Sequence, residues 1–297
     1  MKQNCEGCSI GFIGVGNLGQ GMALNLLEHE WQVTVYDTQA ERLKALTDAG
    51  ADIAAEPRDL AGCGVICLAV PDDDAVTALL LGTEGLLPKL SADQHVIIHS
   101  TILPATAKNL AAECEAAGVG FLDAPVSGGA GRARTGDLTL MVGGSADVLE
   151  QVRPLLDDMA SSVLHLGAAG SGSATKLANQ LMMFAALAGT HEALRLTAAY
   201  GVPDNKVLEA VESSTGDTWV ARHWGFFDDV AADYNRLGTP VRQRPWSKDL
   251  WEVAMAARSA DVEVPFAALL AQLLPDVVEQ HADATASEHP MKGSTDE

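Results

Sequence analysis

The sequence predicts an α/β protein: a doubly wound parallel sheet followed by an all-helical second half. Two observations lead there. Short apolar runs alternate with helical patterns up to about residue 167, the signature of parallel strands joined by helices. After Gly172 the strand signal stops, and long Ala- and Leu-rich patterns fill 173–200, 203–213, 247–260 and 264–282. The change of pattern at Gly167–Gly172 divides the chain into an expected sheet domain, 1–170, and an expected helical domain, 171–297.

Each element has its own reason. Ser9-Ile-Gly-Phe-Ile-Gly-Val15 is a brief apolar run that ends in a glycine-rich turn, and a helix is expected over Gly21–Leu27. Gln32–Tyr36 alternates apolar and polar residues, as a strand does. Gly64–Val70 is a continuous apolar strand stopped by Pro71, and the aspartates that follow are expected to start a helix over Ala75–Leu81. His95–His99 is the next strand, Thr106–Ala117 a helix, and Gly120–Asp123 another strand. Asp123–Gly129 is expected to be a loop. Thr139–Val142 and Ser162–Leu166 read as late strands around a helix over Ala146–Met159. Ligands of such sheets bind beyond the carboxyl ends of the strands. Asp37, Val70-Pro71, Ser100-Thr101 and Asp123 all fall at such ends.

The first turn carries Gly14-Val15-Gly16-Asn17-Leu18-Gly19, a GxGxxG between strand and helix. In that setting the first glycine permits the tight turn, the second lets a pyrophosphate approach the backbone, and the third lets helix pack on strand. The helix N-terminus then offers N–H groups and a positive dipole end to phosphate. Asp37 ends the second strand at the spacing expected of a ribose ligand, although it could equally cap a helix beginning near Glu41. Together these features predict dinucleotide binding.

Composition narrows the partners. With 19 basic and 40 acidic residues the net charge is −21, which disfavours nucleic acid and anionic membranes. No apolar run is long enough to span a bilayer, and Met1–Cys8 has no apolar core, so the expected compartment is the cytoplasm. Five cysteines, an odd number, argue against a disulfide framework; Cys5 and Cys8 form one CxxC, which lacks a second ligand pair, and no metal is expected.

A loop and a helix suggest chemistry. Ser127, Gly128 and Gly129 combine a hydroxyl with successive glycine amides, a pattern suited to holding a carboxylate but also found in ordinary surface loops. Gly172–Leu187 reads as a helix that is apolar on every side past Gln180, so it is expected to be buried on every side. Lys176, Asn179 and Gln180 share one face of it. An ammonium there is either a proton-transfer group tuned by burial or a lysine snorkelling from a helix end. Arg242 and Arg244, just before Lys248, are two cations that reach either a substrate anion or solvent.

These segments resemble the β-hydroxyacid dehydrogenase family, which includes 3-hydroxyisobutyrate dehydrogenase and tartronate semialdehyde reductase. The resemblance runs from Ile10 to about Gln280 and rests on Gly11–Gly19, Ser100-Thr-Ile102, Asp123–Gly129, Gly172–Gln180 and Lys248-Asp-Leu250. It implies a Rossmann domain, a helical domain and an active site in the cleft between them. It implies Lys176 as the catalytic residue, with Ser127, Gly128, Gly129, Asn179 and Gln180 binding substrate. Gly14, Val15, Gly16, Asn17, Leu18, Gly19, Asp37, Thr38, Val70, Pro71, Thr101 and Lys248 would bind the cofactor. Many members carry Asn four residues after the lysine, where this chain has Gln180, so which amide orients substrate stays open. Related imine reductases lack the lysine, and its presence points to carbonyl and alcohol chemistry. The implied reaction is NAD-dependent interconversion of a small 3-hydroxy acid and its semialdehyde, in a homodimer or homotetramer. Glyoxylate or succinic semialdehyde reduction within the family, or a non-catalytic dinucleotide-binding scaffold, are the alternatives. Asp37 followed by Thr38 favours NAD over NADP.

Overall fold

The structure, a computed structural model, describes residues 8–288. Cys5 and the end of the polar tail lie outside them. Contacts divide the chain into two compact units, one ending at Lys176 and one beginning at Leu177.

The first unit opens with β1 (Ile10–Ile13), α1 (Asn17–Glu28), β2 (Val33–Tyr36), a short α2 (Lys44–Asp48) and β3 (Asp52–Ile53). β4 (Val65–Leu68), α3 (Asp73–Leu81), β5 (His95–Ile98), α4 (Pro104–Ala116) and β6 (Gly120–Asp123) follow. Then come β7 (Val126–Ser127), α5 (Gly129–Arg134), β8 (Leu138–Gly144), α6 (Ala146–Met159) and β9 (Ala160–Gly167). The sheet order is β3-β2-β1-β4-β5-β6-β8-β7, with β9 paired to β8. The pairs from β3 through β6 are parallel, in registers such as Ile10↔Val33 and Ile10↔Val65. Strand order reverses between β1 and β4, which is where an open α/β sheet leaves a ligand crevice.

The period-2 alternation of the strands sorts their side chains between two cores. Ile10, Phe12, Val35, Val65 and Cys67 pack with Met22 and Leu26 of α1 and Leu149 and Leu156 of α6. Ile13, Ile66, Leu68, Val96 and Ile98 face the other way, onto Val76 and Leu80 of α3 and Leu110 of α4. Asp72 caps α3 through its carboxylate, which accepts from the Ala75 N–H at 2.9 Å. The expected role of the aspartate run at this helix start is met.

The sheet is mixed rather than purely parallel: β8 runs antiparallel to β6 and β7. The expected loop Asp123–Gly129 contains β7, whose Val126 and Ser127 pair with Leu140 and Thr139. Immediately after it α5 forms from Gly-Ala-Gly-Arg-Ala-Arg, a sequence of low helix propensity. Packing on α1 overrides propensity there: a Cβ on Gly21 would lie 3.1 Å from the Ala133 Cβ, and Arg134 pairs with Glu28.

The second unit takes most of α7 (Ser171–Ala198), then α8 (Asp204–Glu212), α9 (Trp219–Arg222), α10 (Phe226–Arg236), α11 (Pro245–Ser259) and α12 (Pro265–Glu288). Its core joins Phe184, Leu187, Phe227, Trp246, Leu250, Leu270 and Leu274. The expectation that Gly172–Leu187 is buried on every side past Gln180 is not met: Met182 is 74% exposed. Trp251 and Met255 of α11 and Phe266, Leu269 and Leu273 of α12 are exposed as well. No helix among the described residues is long and apolar enough to cross a membrane.

Candidate active site

The glycine turn is built as a close strand-to-helix passage. Gly14 has φ +87°, and a Cβ there would lie 2.5 Å from the Ala69 carbonyl oxygen, so the exits of β1 and β4 nearly touch. A Cβ on Gly19 would collide with the Gly14 carbonyl. Gly16 differs: the nearest atom to its Cβ position is Arg42 Nη1 at 3.6 Å, so its face is open to an incoming group. α1 begins at Asn17 without a side-chain cap and without an acid in its first turn. Its first N–H groups are therefore left to an anion, as a pyrophosphate site requires.

Asp37 secures this turn. Its Oδ2 accepts from the Val15 N–H at 2.9 Å and its Oδ1 from the Gln39 N–H at 2.9 Å. The carboxylate ties the glycine turn to the end of β2 and retains lone pairs for ribose hydroxyls. Thr38, next to it, is exposed. The next two strand ends are linked in the same way: the Val70 N–H donates to Ser100 Oγ at 2.9 Å, and the Leu103 N–H donates to Asp73 Oδ1 at 3.0 Å. Val70 and Thr101 are half-buried, and Pro71 is exposed. A cradle of backbone amides, an open glycine and a carboxylate along one sheet edge fits a dinucleotide.

Asp123 closes the same edge. It is fully buried at the end of β6; its Oδ1 accepts from the Gly170 N–H at 2.8 Å and its Oδ2 from the Ser173 N–H at 2.7 Å. Burial raises its pKa, against the lowering effect of those bonds. The carboxylate thereby caps the first turn of α7, and Lys176 follows three residues later. A Cβ on Gly143 would lie 2.5 Å from Asp123 Oδ1, and one on Gly172 would sit 2.5 Å from the Asp123 carbonyl oxygen, so neither glycine admits a side chain without movement. From sequence Asp123 reads as a ligand-facing strand end and the first residue of the Asp123–Gly129 segment; its role as a cap was hidden because the N–H groups it accepts from lie 47 and 50 residues further on.

Lys176 is 8% exposed, in the second turn of α7. Asn179 is half-buried and Gln180 is 3% exposed. The Gln180 amide is engaged at both ends: its Nε2 donates to Asp249 Oδ2 at 2.6 Å, and its Oε1 accepts from Asn179 Nδ2 at 3.2 Å. Ser127, Gly128 and Gly129 are half-buried, and both glycines have positive φ, +141° and +76°. Lys248 pairs with Glu252 at 2.7 Å and Asp249 at 3.3 Å. Burial alone would lower its pKa; the two acids outweigh that and raise it.

The two arginines separate. Arg242 is exposed. Arg244 is 4% exposed, and its guanidinium donates to Glu279 Oε2 at 2.6 Å, Asn235 Oδ1 at 2.7 Å and the Thr239 carbonyl at 3.0 and 3.1 Å. It is a buried brace of the helical unit, not a reserve of charge for substrate.

Comparison with known proteins matches both halves of the chain. Residues 9–167 match the family model described as the NAD binding domain of 6-phosphogluconate dehydrogenase. Residues 170–289 match the one described as NAD-binding of NADP-dependent 3-hydroxyisobutyrate dehydrogenase. The human mitochondrial 3-hydroxyisobutyrate dehydrogenase is 38% identical over 235 residues, 77% of this chain and 70% of that one. A protein of Pseudomonas aeruginosa named NAD-dependent L-serine dehydrogenase is 34% identical over 269 residues, 89% of this chain and 90% of its own. The crystal structure of a 3-hydroxyisobutyrate dehydrogenase from Salmonella typhimurium superimposes with a TM-score of 0.75 at 27% identity, covering 93% of this chain and 95% of that one. The chain therefore belongs to the 3-hydroxyisobutyrate dehydrogenase family and is an NAD-binding oxidoreductase.

Proposed function

We propose that the chain interconverts a small 3-hydroxy acid, 3-hydroxyisobutyrate or a close analogue, and its semialdehyde, with Lys176 as general acid and base. The observation that carries this reading is the placement of Lys176. It is buried, and its helix is capped by Asp123 at the sheet edge that carries the glycine turn and Asp37. Bound NAD supplies the hydride acceptor, or in its reduced form the donor. Lys176 takes the hydroxyl proton during oxidation and returns it during reduction. Ser127 and the amides of Gly128 and Gly129 hold the carboxylate, and their positive φ values suit a concave run of N–H groups. Asn179 is the better candidate to orient the substrate, because the Gln180 amide already serves Asp249. Gly14–Gly19, Asp37, Thr38, Val70, Pro71 and Thr101 form the cofactor side of the proposal. Lys248 joins it as a fixed positive charge, since a lysine between two acids keeps its proton.

A serine-like 3-hydroxy acid is the second reading, favoured by the relative named L-serine dehydrogenase. We further propose domains 1–170 and 171–297, a cytoplasmic enzyme, and a homodimer or homotetramer that covers the exposed Met182, Trp251, Phe266 and Leu269.

The test is a substrate panel run on the parent, Lys176→Met and Lys176→Arg. The panel holds 3-hydroxyisobutyrate, serine, glycerate, threonate and 3-hydroxypropionate with NAD, and the matching aldehydes with NADH. The expected result is a kcat lowered by ~10²–10⁴-fold in the Met variant, with NAD affinity little changed. Arginine restores nothing, because guanidinium stays protonated and cannot accept the hydroxyl proton. A Met variant with near-parent kcat would return Lys176 to a packing role.

A further inference from the structure

Arg132 lies in α5, just after the Ser127–Gly129 segment, and its side chain doubles back onto that segment. A Cβ placed on Gly128 would lie 3.1 Å from Arg132 Cβ, 3.2 Å from Arg132 Cδ and 3.0 Å from Leu138 Cδ2. The space beside the Gly128 backbone is therefore filled by the arginine stem and Leu138. Asp137 holds Arg132 at both ends. Arg132 Nε donates to Asp137 Oδ2 at 3.0 Å, and the Asp137 N–H donates to the Arg132 carbonyl at 2.9 Å. Ser161 of β9, and then Arg132, hold the Asp137 carboxyl below the usual carboxylate range, so it is ionised at neutral pH.

The topology puts this clasp beside the ligand edge of the sheet. β8 is antiparallel to β6 and meets it through Leu122↔Gly144 and Asp123↔Gly143, at the end of β8. The start of β8 therefore lies past the carboxyl end of β6, where it pairs with Val126 and Ser127 of β7. Asp137 immediately precedes β8, so it and Arg132 stand there with Gly128. Gly128 has φ +141°, and glycine has the widest choice of backbone conformations, so packing beside it fixes the direction of its N–H. The pair is largely exposed, with the Arg132 side chain at 39% and the Asp137 side chain at 54%. Exposed pairs add little to global stability, so the effect of this one is local to the segment it packs on.

We propose that Arg132 is a positioning residue for the substrate: clasped by Asp137, its stem holds the Gly128 backbone in the orientation that receives the substrate carboxylate. This rests on the reading of Ser127, Gly128 and Gly129 as the carboxylate site. A purely electrostatic role would work differently. In a chain of net charge −21, a guanidinium would draw in an anionic substrate and Asp137 would oppose it. The two roles give opposite signs when Asp137 is removed. Losing a clasp loosens the Gly128 backbone and weakens substrate binding, because the site is no longer preorganised. Unmasking a cation strengthens it.

The experiment takes the acid of the substrate panel that binds best. Its KM and kcat, and its Kd by titration calorimetry at saturating NADH, are measured in the parent, Arg132→Ala, Arg132→Lys, Asp137→Ala and Ser127→Ala. Arg132→Ala and Asp137→Ala are each expected to raise KM and Kd for the acid by about fivefold or more, with a smaller change in kcat. KM for NAD and the melting temperature are expected to stay near the parent values. Arg132→Lys keeps a stem and an ammonium that reaches Asp137, so it is expected to restore KM to within about twofold of the parent. An acid KM and Kd within about twofold of the parent in Arg132→Ala, or tighter binding in Asp137→Ala, would overturn the proposal. Ser127→Ala separates the proposal from the reading beneath it. Unchanged acid affinity in Ser127→Ala removes the segment from the substrate site, and the proposal falls with it. Weaker affinity in Ser127→Ala beside unchanged affinity in Arg132→Ala refutes the role of Arg132 alone. Should Arg132→Ala fail to fold, the sign of the change in Asp137→Ala decides.

Discussion

Replacing Asp123 by Asn is the sharpest test of how the lysine helix is held. Asp123 is fully buried and receives two N–H groups from the start of α7, at 2.8 Å from Gly170 and 2.7 Å from Ser173. Asn keeps one oxygen acceptor and sets an NH2 group against the other N–H. One charge-assisted bond, worth roughly 1.5–3 kcal/mol, is lost, and a buried donor is left facing a donor at a cost of about 1–3 kcal/mol. The interaction of a carboxylate with the helix N-terminus, about 0.3–1 kcal/mol, goes too. Removing a buried charge works in the other direction, and the raised pKa of Asp123 shows that burial weighs against its ionised form. The net expectation is a loss of about 2–4 kcal/mol in unfolding free energy.

The functional consequence follows from geometry. Lys176 lies one turn beyond Ser173 on the same helix, so a first turn that shifts carries the ammonium with it. A misplacement of about 1 Å can lower a rate by about 10²-fold. Urea unfolding gives the stability and steady-state kinetics the rate. We expect kcat to fall by roughly ten- to a hundredfold while NAD affinity, set by the glycine turn after β1, three strands along the same edge, stays near the parent value. Stability within about 1 kcal/mol of the parent, half the lower bound of that net loss, together with a kcat within twofold would refute the reasoning.

Two other expectations concern the helical unit. His191 is held at a pKa of about 4 by burial first, then by His281 and Arg195, so it is neutral when folded and titrates near 6.5 when unfolded. The unfolded chain binds the extra proton, so stability is lost as pH falls through 6.5 towards 4, by about 2 kcal/mol between pH 7.5 and 5. His191→Gln should lack that slope in urea titrations at the two pH values, and identical slopes would remove His191 as its source. Arg244→Lys cannot reproduce the forked contacts to Glu279, Asn235 and Thr239 and should lower stability by about 2–4 kcal/mol without raising KM for the carboxylate substrate. A tenfold rise in KM at unchanged stability would instead put Arg244 in the substrate site.

Much of the sheet unit was legible because its signals are local. A four-residue apolar strand, three glycines at fixed spacing and an acid at the next strand end all lie within a short stretch of chain, and the structure gives them the expected backbone. α10 was legible too, although unread: Phe227, Val230, Ala231 and Tyr234 follow the spacing of a helix face. α5 was not, since two of its six residues are glycine, which argues against a helix, and packing on α1 overrides that. The antiparallel turn of β8 was hidden for a related reason. A buried apolar run has the same pattern in either direction, so periodicity alone does not show that β8 pairs antiparallel with β6.

The polar contacts divide on the same ground, and they decide which candidate residues are free to act. Arg242 and Arg244 are alike in sequence, yet one is exposed and the other is committed to Glu279, 35 residues away. Asn179 and Gln180 are adjacent amides, yet Gln180 is spoken for by Asp249, 69 residues on. Motif spacing identifies the type of group needed at a site; a partner distant in the chain determines whether that group is available.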